Sequence, residues 1–260
     1  MWKLIDHKIR RAFSNAAAQY DVLTGLHREV ARELVDKIKP LEDSRYILDI
    51  GMGTGYLTSR LTNYFPDALV VGLDFADGMV EAAKKKDGTY KIVQADARAM
   101  PFKKKAFDII TSNLSFHWVE NVQKAFEDYY QVLKNDGTLA MTMFGRETFD
   151  ELFCSLEKTC EGKEKFSSIQ RLLDSARIKQ AVVECGFKDV EVSFERVKAH
   201  FTDMMALVQW TKDIGANVLR KDIYVGRDWL NRANDYYNEN FKDGFGIYAT
   251  FEVIWLQARK

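Results

Sequence analysis

The 260-residue chain predicts an open α/β fold, a mostly parallel sheet of seven strands with an antiparallel last strand, N-terminal helices and a helical cap. Three observations carry that prediction. Short apolar runs alternate with helical patterns from Ile47 to Phe144. The first run, Ile47-Leu48-Asp49-Ile50, breaks at once into Gly51-Met52-Gly53-Thr54-Gly55, a strand–turn–helix signature. A last alternating run, Gly246 to Arg259, returns after some fifty residues of helical pattern.

The elements follow in order. Residues 5–39 read as two helices: Ile9, Phe13, Ala16, Ala17 and Tyr20 keep helical spacing, and Leu26, Val30, Leu34, Val35 and Ile38 lead to Pro40. Strand one begins near Arg45. The second, third and fourth strands are Ala68–Asp74, Tyr90–Ala95 and Phe107–Ser112. Helices at Tyr56–Tyr64, Asp77–Lys86 and Val122–Leu133 follow the first, second and fourth. Lys103-Lys104-Lys105 reads as a solvated turn, and Asn135-Asp136-Gly137 as the turn that launches strand five, Thr138–Phe144. Helices are expected at Thr148–Glu161 and Asp174–Cys185, the latter stopped by Gly186. Asp189–Val197 alternates as strand six. Between strands six and seven, Asp203–Ile214 and Gly226–Phe241 are helical in pattern, far more chain than a hairpin needs. The whole reads as one domain over 1–260: helices in 1–44, a core in 45–199 and 246–260, and a cap in 200–245 acting as a lid and docking element.

The strand ends carry the chemistry. Glycines at Gly51, Gly53 and Gly55 let the backbone approach a ligand, and the helix opening at Thr54-Gly55-Tyr56 is expected to aim its amides at it. The spacing is G-x-G-x-G rather than the G-x-G-x-x-G of a dinucleotide fingerprint. Asp74 ends the second strand, where an acid can accept from both hydroxyls of a ribose that lacks a 2′-phosphate. Asp96-Ala97 ends the third strand, placed for an adenine edge, and Asn113-Leu114 ends the fourth. Glycines that merely allow a tight turn would leave Asp49 and Asp74 unexplained.

The series Asp49-x-Gly51-x-Gly53-x-Gly55, Asp74, Met79, Asp96-Ala97 and Phe107-Asp108 leading to Asn113 resembles the Rossmann-like S-adenosylmethionine-dependent methyltransferases. The resemblance implies S-adenosylmethionine as cofactor, with Asp49, Gly51, Met52, Gly53, Gly55, Asp74, Phe75, Met79, Asp96, Ala97, Asn113 and Leu114 around it. Ile9-x-x-x-Phe13-x-x-Ala16-Ala17-x-x-Tyr20 with Leu26-His27, Asn113 to Val119, and Gly145-x-x-Thr148-Phe149-x-Glu151-Leu152 extend the likeness. With Leu207-x-x-x-Thr211-Lys212-x-Ile214-Gly215-Ala216-Asn217 and Tyr248-x-Thr250 to Ile254, they resemble the malonyl-acyl-carrier-protein O-methyltransferases of biotin synthesis. That family often has glutamine at the positions of His27 and His117, and proline at that of Arg146. The resemblance implies methylation of the free carboxylate of a malonyl group on an acyl carrier protein.

Such a carboxylate is already ionised, so no catalytic base is required; Tyr20, His117 and Arg146 are the candidates for positioning the acceptor. Trp118 reads as core. Carrier proteins are acidic, and Arg196–Arg232 holds seven basic residues (Arg196, Lys198, Lys212, Arg220, Lys221, Arg227, Arg232) against four acids (Asp203, Asp213, Asp222, Asp228), which suits a docking surface as well as ordinary solvated helices. Alternatives are a methyltransferase for another small carboxylate or a quinone-type ring, and a noncatalytic cofactor- or carrier-binding module.

Bulk composition limits the rest. Lys plus Arg equals Asp plus Glu at 38 each, so charge makes no case for nucleic acid or an anionic membrane. No apolar run reaches membrane-spanning length and the first residues have no signal-peptide core, which predicts a cytoplasmic protein. Cys154, Cys160 and Cys185 read as reduced thiols, and four scattered histidines support no metal site.

Overall fold

The computed structural model describes residues 2–38, 44–86, 88–119, 121–160, 172–216 and 226–260. Pro40, Glu161, Asn217, Arg220, Lys221 and Asp222, named above, lie outside them. The sheet runs β3-β2-β1-β4-β5-β8-β6, built from β1 (Tyr46–Ile50), β2 (Leu69–Asp74), β3 (Lys91–Gln94), β4 (Phe107–Asn113), β5 (Leu133–Phe144), β6 (Lys188–Phe201) and β8 (Gly246–Arg259). β1 to β5 pair in parallel, and β8 lies antiparallel between β5 and β6. These are the seven strands the sequence predicts, with a two-residue addition, β7 (Lys242–Asp243), hydrogen-bonded to the start of β8.

Period-2 alternation divides the core between the two faces of the sheet. Ile47, Val70 and Ile109 pack on one face with Val30, Leu34, Leu57 and Leu61; Leu48, Ile50 and Ile110 pack on the other with Phe126, Tyr129, Ile178 and Val182. The helices that supply these side chains are α3 (Gly25–Lys37) and α4 (Tyr56–Tyr64) on the first face, and α6 (Val122–Val132) and α8 (Ser175–Glu184) on the second. α5 (Asp77–Lys84) adds Val80 and Ala83 around Met52, and α7 (Asp150–Lys158) lies against β8.

Two differences from the sequence expectation have local causes. The N-terminal segment forms three helices rather than two, because the α1 helix (Trp2–Ala16) stops in a turn and Tyr20 begins the short α2 (Tyr20–Leu23), closed by Thr24 Oγ1 donating to the Tyr20 carbonyl at 2.6 Å. β5 starts at Leu133 rather than Thr138. Leu133 pairs with Phe107, the pairing resumes at Thr138 with Ile109, and the Asn135-Asp136-Gly137 turn is a bulge within the strand, with Asp136 at φ +61°.

β6 runs to Phe201, beyond the predicted Val197, so β6 and β8 form a ribbon longer than the rest of the sheet. α9 (Met204–Asp213) and α10 (Arg227–Asn240) lie between them in sequence, as the inserted cap. Trp210 of α9 donates its indole N–H to the Leu23 carbonyl at 2.9 Å, and Trp229 of α10 donates to the Leu156 carbonyl at 3.0 Å. No described helix is long and apolar enough to cross a membrane.

Candidate functional site

The strand order reverses between β1, which leads outward to β2, and its other neighbour β4, so their carboxyl ends diverge into a crevice. A cavity occupies that edge. Ile50, Gly51 and Gly53 come from the loop after β1; Leu73, Asp74, Phe75 and Met79 from the end of β2 and α5; Ala95, Asp96, Ala97 and Arg98 follow β3. Asn113, Leu114, Ser115, Phe116, Trp118 and Val119 follow β4, Tyr129 reaches in from α6, and Ile9, Phe13 and Tyr20 close the cavity from the N-terminal helices.

The loop needs glycine where the backbone is left-handed and crowded. Gly51 has φ +68°, and a Cβ there would stand 2.3 Å from Ser115 Oγ; at Gly55, φ +84°, it would stand 2.7 Å from the Tyr90 hydroxyl. The amides at the head of the loop are engaged within the protein. Gly51 and Met52 N–H both donate to the Leu73 carbonyl (2.8 and 3.0 Å), Gly53 N–H donates to Asp74 Oδ2 (2.9 Å), and Gly55 N–H to the Met52 carbonyl (2.9 Å). A loop that cradles phosphate presents such amides to the anion. Here those of Gly51, Met52, Gly53 and Gly55 are engaged, and a carboxylate stands beside them, so the chemistry of this wall suits a ligand without phosphate.

Asp74 is 6% exposed and accepts from the amides of Gly53 and Ala76 (2.9 and 2.8 Å). The carboxylate lines the cavity and, as an acceptor-only group, keeps capacity for a further donor there. Burial pushes its carboxyl above the ordinary value, opposed by the Ala76, Gly53 and Phe75 amides. Asp49, Met52 and Gly55 do not line the cavity. Asp49, 1% exposed, accepts from Thr58 Oγ1 at 2.6 Å and from Thr111 Oγ1 at 3.4 Å, fastening α4 to the sheet, and burial raises its carboxyl to about 7. Met52 packs with Val80 and Ala83, and Gly55 caps α4.

Of the acceptor candidates, the structure brings only Tyr20 to the wall, where burial and the charges of Asp74 and Asp21 raise its hydroxyl pKa. His117 stands one layer back in the short 3₁₀ turn Phe116–Trp118, its ring 5.2 Å from that of Phe144 and 5.4 Å from that of Trp118. Arg146 is exposed in the turn after β5. Trp118 corrects the core expectation: it is half-buried and lines the cavity, held edge-on by Phe13 at 5.3 Å, because the turn at Phe116 swings it out. Arg98, Ser115, Phe116, Val119 and Tyr129 were not singled out from the sequence. Ser115 to Val119 belong to the stretch after strand four, whereas Tyr129 looks like any core tyrosine of a helix.

Polar contacts fasten the N-terminal helices over the cavity. Arg10 forks onto Asp77 (Nε 2.9 Å, Nη2 2.5 Å), and the Gly78 amide donates to Ser14 Oγ at 3.2 Å. Asp21 of α2 accepts from Thr54 Oγ1 (2.5 Å) and from Lys86 Nζ (2.6 Å), tying α2 to the glycine loop. On the far side, rings run beside the polar bonds: Tyr20, His27, Phe144, Phe251, Trp210 and Phe201 touch in sequence at centroid separations of 5.6 to 6.0 Å. His27 is buried in this column, and burial lowers its pKa to about 4, so its ring is neutral. Of the basic residues counted above, Arg196 is paired with Glu147, and the Lys198 ammonium lies 3.7 Å from the centre of the Tyr248 ring.

Comparison with known proteins adds the following. A methyltransferase domain family matches residues 48–141. The chain is 30% identical to a malonyl-[acyl-carrier protein] O-methyltransferase of Geobacter sulfurreducens, covering 95% of this chain and 96% of that protein. It is 31% identical to one of Acetivibrio thermocellus, covering 99% and 95%. Among solved structures, the YcgJ protein of Bacillus subtilis superposes with a TM-score of 0.63 at 17% identity, over 89% of this chain and 98% of that one, a likeness of fold.

Proposed function

This chain belongs to the malonyl-[acyl-carrier protein] O-methyltransferase family, and on that premise we propose that it moves a methyl group from S-adenosylmethionine to the free carboxylate of a malonyl group on an acyl carrier protein. The observation that carries the proposal is the cavity wall itself: loop amides engaged within the protein, and beside them a buried acid with acceptor capacity left open. That pairing repels a pyrophosphate and suits a ribose and a cationic sulfonium. We take residues 1–260 as one methyltransferase domain with 200–245 as its cap, working in the cytoplasm.

Bound S-adenosylmethionine supplies a methyl group on positively charged sulfur, which an oxygen attacking in line displaces as a neutral thioether. In this reading Asp74 accepts from the ribose hydroxyls, Met79 and Phe75 flank the adenine, Asp96 and Ala97 meet its edge, and Gly51 and Gly53 lie under the methionine part, with Asn113 and Leu114 closing the wall. Asp49, Met52 and Gly55 serve from behind by holding the loop. The malonyl carboxylate and the sulfonium neutralise each other as the ester forms, so excluding water lowers the barrier and no proton has to move. Tyr20 orients the acceptor, with His117 and Arg146 on its approach past Phe144.

The test is incubation with labelled S-adenosylmethionine and, in separate reactions, malonyl-carrier protein, free malonate and a catechol-type ring. Label on the carrier protein alone is the expected result. Preferred transfer to free malonate or to the ring would replace the acceptor, and binding without transfer to any of them would make the chain a cofactor-binding module.

A further inference from the structure

We infer that Arg98 is a positioning residue for base recognition: its fork on Asp96 orients the carboxylate so that the site accepts a 6-amino purine and rejects a 6-oxo purine. The inference deepens the reading above and rests on it, since it takes the cavity to hold an adenosine group.

It follows from counting acceptor sites. Asp96 follows β3 and lines the cavity, as does Arg98 two residues on. Oδ1 of Asp96 accepts from the Arg98 amide and from Arg98 Nε, both at 2.9 Å; Oδ2 accepts from Nη2 at 2.6 Å, with a longer branch from Nε at 3.1 Å. An ionised carboxylate has about four lone-pair directions and donates nothing. Three N–H groups of Arg98 engage it, Nε shared between both oxygens, which leaves room for one further donor on Oδ2. A single remaining acceptor is matched by one amino N–H and opposed by a carbonyl oxygen.

The fork also supplies what an isolated aspartate lacks. The side chains of Asp96 and Arg98 are 41% and 37% exposed, so without a partner the carboxylate would rotate and be hydrated. Arg98 neutralises its charge, holding its pKa below the ordinary value chiefly through the side-chain bond, and fixes its plane. Lysine, a point charge without a planar fork, would do the first and not the second.

The experiment is titration calorimetry of the full chain with S-adenosylhomocysteine and with S-inosylhomocysteine, its 6-oxo counterpart, using wild type, Arg98→Gln, Arg98→Lys and Asp96→Asn. Wild type is expected to favour the amino form about tenfold or more, the effect of one hydrogen bond to a charged group. Arg98→Gln should cut that ratio severalfold by weakening the amino form while leaving the oxo form nearly unchanged; Arg98→Lys should restore part of it. Asp96→Asn, which can present an N–H, should lower or reverse the preference. Thermal melts check that each variant is folded. An unchanged ratio in Arg98→Gln, an equal loss of both ligands, or full restoration by lysine would overturn the role of the fork. Failure of wild type to bind either nucleoside would instead overturn the cofactor reading itself.

Discussion

On the glycine-loop side of the cavity, carboxylates are held by amides and hydroxyls: Asp74 accepts from the Gly53 and Ala76 amides, while Asp49 accepts from the Thr58 and Thr111 hydroxyls. On the side of β5 and the cap, contact passes instead through rings, from Tyr20 and His27 through Phe144 and Phe251 to Trp210. The first wall is held by directional hydrogen bonds that fix the strand ends, the loop and the helix start to one another. The second is adaptable, because ring contacts tolerate sliding that a charged hydrogen bond does not. A cofactor that never varies and an acceptor that arrives on another protein call for these two kinds of wall.

The contrast is broken most strongly at Asp74. Asp74→Ala removes the open acceptor and leaves the Gly53 and Ala76 amides without their partner. S-adenosylhomocysteine affinity should fall about a hundredfold by calorimetry, with a lower melting temperature. A change of less than about threefold would mean that the ribose lies elsewhere.

Asp49 sharpens the same wall through pH. Its folded value is raised to about 7 from 3.8, so between these values the folded protein keeps a proton that the unfolded chain has released. Its contribution to stability is therefore greatest below the unfolded value and declines as pH rises toward the folded one. Asp49→Asn should flatten this decline and melt higher than wild type at pH 8. Parallel melting curves from pH 5 to 8 would contradict the account.

Outside the cavity, on the proposed approach of the acceptor, the effect should separate from cofactor binding. Arg146→Ala is expected to raise the KM for malonyl-carrier protein about fivefold, the scale of one exposed charge contact, with S-adenosylhomocysteine affinity unchanged. Equal effects on both ligands would erase the division. The smallest change belongs to the fastening of α2. Lys86 is an exposed partner of Asp21, so Lys86→Ala should speed cofactor release in stopped flow by about twofold, an effect that added salt removes.

The same contrast explains what was legible in the sequence. Asp74 and the Gly51-x-Gly53 spacing announce themselves because strand end, turn and helix start are neighbours in the chain. The orientation of the loop amides was not legible, since Gly51 and Met52 donate to Leu73 on the next strand. Trp118 gave no sign that it would turn from the core to the cavity, because its edge contact is with Phe13. The cap was visible as an insertion, but its anchoring was not: Trp210 bonds to Leu23, 187 residues earlier. His117 and Arg146 follow strands correctly yet stand behind or outside the cavity, a matter of turn geometry that residue type does not fix.

The central claim is that the cofactor wall serves methyl transfer to a free malonyl carboxylate. Intact mass spectrometry of malonyl-carrier protein and acetyl-carrier protein, each incubated with the chain and S-adenosylmethionine, tests it directly. The account predicts a gain of one methyl group on the malonyl form, removed by ester hydrolysis, and none on the acetyl form, which has no free carboxylate. A methyl group on both forms, or on neither, would contradict it.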